Sequence, residues 1–356
     1  MLVRSDLPEA MPLPPSPPVL PELLELQALA EQGAPYLRQS LLCEVEVEGR
    51  MLPVHAYTLG RVGPDAPAVG YFGGVHGLER IGAEVVIAYL RSLVMRLRWD
   101  DTLHRQLESM GMLFVPLVNP GGCWRGTRAN PNGVDLMRNA PQDALEPVPW
   151  LVGGQRISAA LPWYRGARGA AMERESAALC AVAEAELGGR PFSIALDCHS
   201  GFGMNDRLWF PLACSRRPID HLPELHAFSE TMDQALLHHR YTMEPQSRQY
   251  LAHGDLWDHL YLRSRASGSA RVFLPLTLEM GSWLWIKKNP RQVFSRHGIF
   301  NPLIGHRQQR VLRRHLSLLD FVGRAAGSHV RWRPAEAQRA QHQAQALERW
   351  YRRAGR

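Results

Sequence analysis

The sequence predicts an α/β fold, a mixed and mostly parallel twisted sheet with helices on both faces. Three observations carry this. Short apolar runs alternate with stretches of helical spacing. Three of those runs, in 70–79, 194–200 and 272–281, pass from a buried strand straight into polar residues. In open α/β sheets, ligands bind beyond the carboxyl ends of the strands, so those polar ends are the candidate functional residues.

Taken in order, residues 11–22 are proline-rich and read as an extended lead-in. LPELLELQALAEQ (20–32) has the leucine and alanine spacing of a short helix. CEVEVEGRMLPVHAYTLG (43–60) alternates about Glu-Gly-Arg and reads as a hairpin. AVGYFGGVHG (68–77) is a strand that breaks into glycines, and 79–97 has apolar positions every three or four residues. MLFVPLVNP (112–120) and FSIALDCHS (192–200) read as buried strands, as does RVFLPLTLEMGS (271–282). The Ala/Gln/Arg-rich segment 335–356 reads as a solvated terminal helix. The organisation expected is therefore a lead-in with a short helix over 1–42, one domain over 43–325 and a basic helical tail over 326–356.

With 356 residues and 45% hydrophobic content, the chain can bury one large core. No apolar run reaches the roughly 20 residues that a membrane span requires, and prolines and acidic residues interrupt any signal-like start. Five cysteines, an odd number without CxxC pairing, point to a reducing, cytoplasmic home rather than a disulfide framework. The net charge of +7 invites a nucleic-acid reading, but the basic residues are scattered and no binding module is present. Attraction of an acidic substrate fits equally. Nothing in the sequence fixes the oligomeric state.

His76 and Glu79 form H-x-x-E at a strand-to-helix junction, where imidazole and carboxylate can converge on one ion. With fifteen histidines, about one such match arises by chance, and His221-Leu-Pro-Glu224 is a second. The latter lacks the strand-and-glycine lead-in and reads as surface. His199, closing the strand ALDCHS, is the third ligand candidate, with Asp197 placed to orient the site. Alone, His199 would read as a hydrogen-bonded core residue. Beside His76 and Glu79 on neighbouring strand ends, it completes a three-ligand set with an open fourth position, as in catalytic zinc. Glu279 ends another buried strand, where a carboxylate is costly without a task. Next to zinc it would be the general base and then the acid.

HGLE (76–79), WRGTRANPNGVDLMRN (124–139), DCHS (197–200), YLAHGDLWDHLY (250–261) and LTLEMG (277–282), in this order, resemble the zinc carboxypeptidases of the carboxypeptidase A type. The resemblance extends over about 43–325. The 123 positions from His76 to His199 fit those enzymes and exceed what the related acylase branch would show. It implies one Zn2+ on His76, Glu79 and His199, and catalysis by Glu279 on a peptide or small amide substrate. It further implies that Arg125 polarises the scissile carbonyl, that Arg138 binds the terminal carboxylate and that Tyr250 contacts substrate. Trp257 falls at the base of the specificity pocket, and Asp255 nearby would favour a basic side chain. Two positions depart from the family pattern: Met137 replaces an asparagine and Leu78 replaces an arginine or aspartate. Both weaken the expected grip on a free C-terminal carboxylate. They leave open an amidase or deacylase acting on a modified peptide, such as a cell-wall peptide. The segment 140–170, rich in Pro, Trp and Gly, suits an active-site rim.

Overall fold

A computed structural model of the chain describes residues 19–61, 63–266, 271–295 and 297–352. Most of the proline-rich lead-in lies outside the described residues. Eight strands are present among them: β1 (Arg38–Val47), β2 (Arg50–Gly60), β3 (Ala68–Gly73), β4 (Gly111–Val115), β5 (Phe192–Ser200), β6 (Arg207–Phe210), β7 (Thr242–Pro245) and β8 (Val272–Met280). They form one sheet in the order β1-β2-β4-β3-β5-β8-β6-β7. The central run β4-β3-β5-β8 is parallel, and antiparallel pairs flank it at β1/β2, β2/β4 and β6/β8. The sheet is thus mixed with a parallel centre. The expected hairpin turns at Glu48-Gly49, both at positive φ, with Val47 paired to Arg50.

The helices are α1 (Pro21–Gly33), α2 (Arg80–Arg96), α3 (Asp101–Ser109), α4 (Pro120–Arg125), α5 (Arg174–Ala183), α6 (Leu222–Ala235), α7 (Leu256–Ala266), α8 (Trp283–Lys288), α9 (Gly305–Gly327), α10 (His329–Trp332) and α11 (Glu336–Trp350). Strand alternation sorts side chains to two faces. Val69, Tyr71, Met112, Phe114, Ile194, Leu196, Leu274 and Leu276 share one core with α1, α2, α6 and α9. Ala68, Phe72, Leu113, Val115, Ala195 and Phe273 share the other with α5 and α7. All nine residues of β5 and all nine of β8 are buried, which is why both read as continuous apolar runs.

The same alternation aims the functional residues. Asp197 and His199 of β5 stand in register with Thr277 and Glu279 of β8, so all four share the α5/α7 face. On this face the charged and ionisable residues stand toward the carboxyl ends, while Ser193 at the start of β5 is satisfied by the Leu187 carbonyl. The terminal segment departs from expectation. α11 is not a solvated tail: it packs on α6 and buries Ala346 and Trp350 in the first core, with Trp350 Nε1 donating to the Met243 carbonyl at 2.8 Å. At the other end of the chain, Leu26 and Leu29 of α1 enter the same core.

Candidate metal centre and substrate cleft

His76 and Glu79 lie on the turn between β3 and α2, closed by a Glu79 N–H to His76 carbonyl hydrogen bond of 3.0 Å. Glu79 is the residue that precedes the first helical turn, so the pair sits ahead of α2 rather than on its face. Asn301 fixes this turn, accepting from Ile81 N–H at 2.9 Å and donating to the Leu78 carbonyl at 2.7 Å. His199, at the end of β5, places Nδ1 3.2 Å from Glu79 Oε2. Candidate ligand atoms of His76, Glu79 and His199 all lie within 4.8 Å of one another, and all three residues are buried.

Supporting contacts orient each of these groups. His199 Nε2 donates to Asp197 Oδ2 at 2.7 Å, leaving Nδ1 for the Glu79 side. Trp257 Nε1 donates to the same Asp197 oxygen at 2.9 Å. Carboxylate–imidazole pairs of this kind set ring orientation and raise basicity in metal sites. Ser200 N–H donates to Glu79 Oε2 at 3.0 Å. Burial, then the adjacent Arg128, pulls His76 well below the usual imidazole range and keeps it neutral, as a ligand must be. Burial works against charge on His199, but Asp197 and Glu79 outweigh it and raise its pKa.

The donor set fits zinc. Two imidazoles and a carboxylate are a catalytic zinc combination, and His76 Nδ1 is buried without a hydrogen-bond partner. The cation that does touch this set is the Arg128 guanidinium, donating to His76 Nε2 at 2.7 Å and Glu79 Oε1 at 3.1 Å. Its Nε donates to Asp135 at 2.8 Å. Burial opposes the charge on Arg128, yet Asp135 and Glu79 hold its pKa above the ordinary guanidinium value.

Glu279 faces the same cleft from β8. Burial, then repulsion from Glu79, pushes its carboxyl up to about 8, and a Phe202 backbone N–H bonded to it works the other way. A carboxyl that titrates near neutrality can both take and return a proton.

Arg138, fully buried on a short turn after Asp135, donates to the Tyr250 hydroxyl at 3.2 Å. Its Nε is buried and has no hydrogen-bond partner. Gly254 explains how this arginine is seated. A Cβ there would lie 2.1 Å from the Arg138 carbonyl, and the residue holds φ +66, so only glycine fits. The cleft, of about 460 Å³, is lined around these groups by Met137, Trp163, Phe202, Trp209, Tyr250 and Phe300 among others. Trp163, Val152 and Pro149 come from the 140–170 segment, which therefore supplies a wall of the cleft. Arg165 pins that segment to the Arg138 carbonyl at 3.1 Å and to Asp143 at 2.6 Å.

Three sequence expectations change. Arg125 does not face the cleft. It ends α4, donates to the Pro131 carbonyl at 2.8 Å and approaches Glu48 of the hairpin turn at 3.7 Å. The chain reverses at Gly126, which sends Arg125 outward and brings Arg128 inward, so Arg128 stands where Arg125 was expected. Trp257 is 2% exposed and does not line the cleft. Its ring packs on Phe72 and its indole N–H holds Asp197, so it acts on His199 through Asp197. Asp255 does line the cleft, but its Oδ1 caps α7 through Trp257 and Asp258 N–H, and its Oδ2 lies 4.0 Å from Arg138. Its charge is matched by Arg138 rather than offered to a basic side chain. His76, Glu79, His199, Glu279, Arg138 and Tyr250 are brought together as expected. Arg128 and Asp135 were missed, although R-x-N-x-N-G-x-D in the same segment carried both.

A family model for zinc carboxypeptidase matches residues 46–282. Carboxypeptidase E of Caenorhabditis elegans is 33% identical over 110 residues, 27% of this chain and 23% of that protein. Carboxypeptidase SOL1 of Arabidopsis thaliana is 32% identical over 75 residues, 21% of this chain and 15% of that protein. The matched stretches thus span less than a quarter of either curated relative. Among solved structures, thrombin activatable fibrinolysis inhibitor superposes with TM-score 0.62 at 18% identity, covering 85% of this chain and 72% of that one. Carboxypeptidase A from Helicoverpa armigera gives TM-score 0.60 at 16% identity, covering 85% and 71%. At such identities these superpositions speak to the fold, which they share.

Proposed function

Because the chain belongs to the zinc carboxypeptidase family, we propose that it is a zinc-dependent hydrolase releasing the C-terminal amino acid from peptides. One observation carries the reading. His76, Glu79 and His199 share a single cleft with Glu279, Arg128 and Arg138, at the carboxyl ends of β3, β5 and β8. Zinc held by His76, Glu79 and His199 supplies Lewis acidity toward water and the scissile carbonyl. Glu279 takes the proton from the attacking water and returns it to the leaving amine nitrogen. Arg128 donates to the developing oxyanion, an interaction typically worth about 2.7–4 kcal/mol. Arg138, with Tyr250 beside it, receives the terminal carboxylate, a pairing that suits a guanidinium.

The aromatic lining and the pairing of Asp255 with Arg138 support a neutral, bulky terminal side chain over a basic one. Met137 reaches the cleft next to Arg138, where an amide would have added a hydrogen bond to the carboxylate. Five unpaired cysteines support a reducing compartment, here taken as the cytoplasm, and no helix of the described residues is long and apolar enough to cross a membrane. The test is mass spectrometry of products from a mixed peptide library with zinc-loaded protein, in free-acid and amidated forms. Single-residue release from free acids only is expected. Equal cleavage of amidated peptides would replace this reading with amidase or deacylase action.

A further inference from the structure

Two groups of three metal-ligating side chains occur among the described residues, and the second lies outside the cleft. It consists of His226 and Glu230, one turn apart on α6, and His342 on α11. His226 Nδ1 and His342 Nδ1 are 3.0 Å apart, and each is 3.7 Å from Glu230 Oε2. A triangle with sides of 3.0, 3.7 and 3.7 Å has a circumradius of about 2.0 Å. That matches the roughly 2.0–2.2 Å bonds that zinc makes to imidazole nitrogen and carboxylate oxygen. An ion near the centre of this triangle would lie at bonding distance from all three atoms.

The chemistry agrees with the spacing. Two imidazole nitrogens at 3.0 Å must share a proton or face a common cation, since two bare lone pairs repel. His226 is buried, whereas His342 and Glu230 are part-exposed, so an ion could enter from solvent and keep a water as fourth ligand. The nearby Arg349 has its own partner, Asp233, at 3.5 Å.

We propose that His226, Glu230 and His342 form a second site for a divalent ion of the zinc type, which clamps α11 onto α6. The clamp would act where two other contacts already hold α11, Arg339 to Glu224 of α6 and Trp350 to the Met243 carbonyl of β7. Docking of the terminal helix then becomes metal-dependent, separately from the cleft.

The experiment titrates the full-length, chelator-stripped chain with zinc against a chromophoric competitor and follows the melting temperature. The wild type should take up two equivalents. His342→Ala and Glu230→Gln should each keep one, with affinity at the second site falling at least about 100-fold, the upper end of the loss from an outer supporting partner. His76→Ala should also keep one equivalent, and zinc should still raise its melting temperature. That rise should vanish when His342→Ala is added. Glu230 is part-exposed, so Glu230→Gln decides the matter if His342→Ala fails to fold. One equivalent in the wild type that is lost in His76→Ala, or two in Glu230→Gln, overturns the second site and leaves the cleft reading untouched, because the two histidines would then be sharing a proton only.

Discussion

The chain carries two His-x-x-Glu segments at the start of helices, and they have opposite fates. His76 and Glu79 lie ahead of α2 and open onto the cleft, with His199 and Arg128 against them. His221 and Glu224 lie at the start of α6, and α11 closes over them. Glu224 pairs with Arg339, and His221 packs edge-on to Tyr261 at 5.6 Å. The second pair is not on the surface as expected: His221 is 5% exposed and Glu224 1%. Both motifs thus bury an imidazole and a carboxylate, and both carboxylates meet an arginine. What separates them is the neighbourhood. The first follows a central parallel strand and lies beside the ends of β5 and β8, whereas the second has neither. Spacing along the chain supplies a candidate ligand pair, and only the strand ends beside it complete a candidate site.

The largest expected contrast comes from the carboxylates. Glu279→Gln should lower kcat by roughly 10²–10⁴-fold, the usual worth of a general base, with zinc content and melting temperature kept. Glu224→Gln should leave kcat unchanged. Full activity in the first variant, or a comparable loss in the second, would erase the distinction between the sites. Arg128→Ala should cost about 10²–10³-fold in kcat, as loss of an oxyanion donor does. Arg125→Ala serves as its control, three residues away and turned outward, with no change beyond about twofold expected.

The sealed site should instead announce itself through stability and pH. Burial pushes His221 down to about 4, and His315, buried beneath Tyr241, likewise. Both folded-state values lie below the 6.5 of a free imidazole, so as pH falls the unfolded chain binds protons first. Their contribution is complete above pH 6.5 and is lost progressively toward pH 4, up to roughly 3 kcal/mol for each. Chemical denaturation at a series of pH values should show this slope, and His221→Gln should flatten it in part. An unchanged slope would mean that His221 is not sealed. Smaller still, Glu224→Gln should lose about 1.5–3 kcal/mol through the weakened pairing with Arg339, read from the denaturation midpoint at neutral pH.

Much of this arrangement was legible in the chain. The hairpin and α2 were readable because burial follows local periodicity, two for a half-buried strand and 3.6 for a helix, and β3, β5 and β8 because burial on both faces makes each a continuous apolar run. His76, Glu79, His199 and Glu279 stood out as candidates because a polar residue ending an apolar run is costly unless it is used, and the structure brings the four to one cleft. The arginines were not separable in this way. Arg125 ends α4 and Arg128 follows three residues later, and their directions depend on the Glu48 turn for the first and on Asp135 and Glu79 for the second. Trp257 was misread for a related reason. Its indole N–H is held by the buried Asp197, sixty residues away in sequence.

The sequence by itself determined the α/β class and the strand ends at which the candidate ligands His76, Glu79 and His199 stand, since these rest on local pattern and residue chemistry. Only the tertiary structure decided that Arg128 and not Arg125 meets the metal centre, that Trp257 stands behind His199, and that α11 closes the second His-x-x-Glu while leaving the first open. A buried charge settles where partners from other elements offset its desolvation, and that choice is made by packing, not by neighbours along the chain.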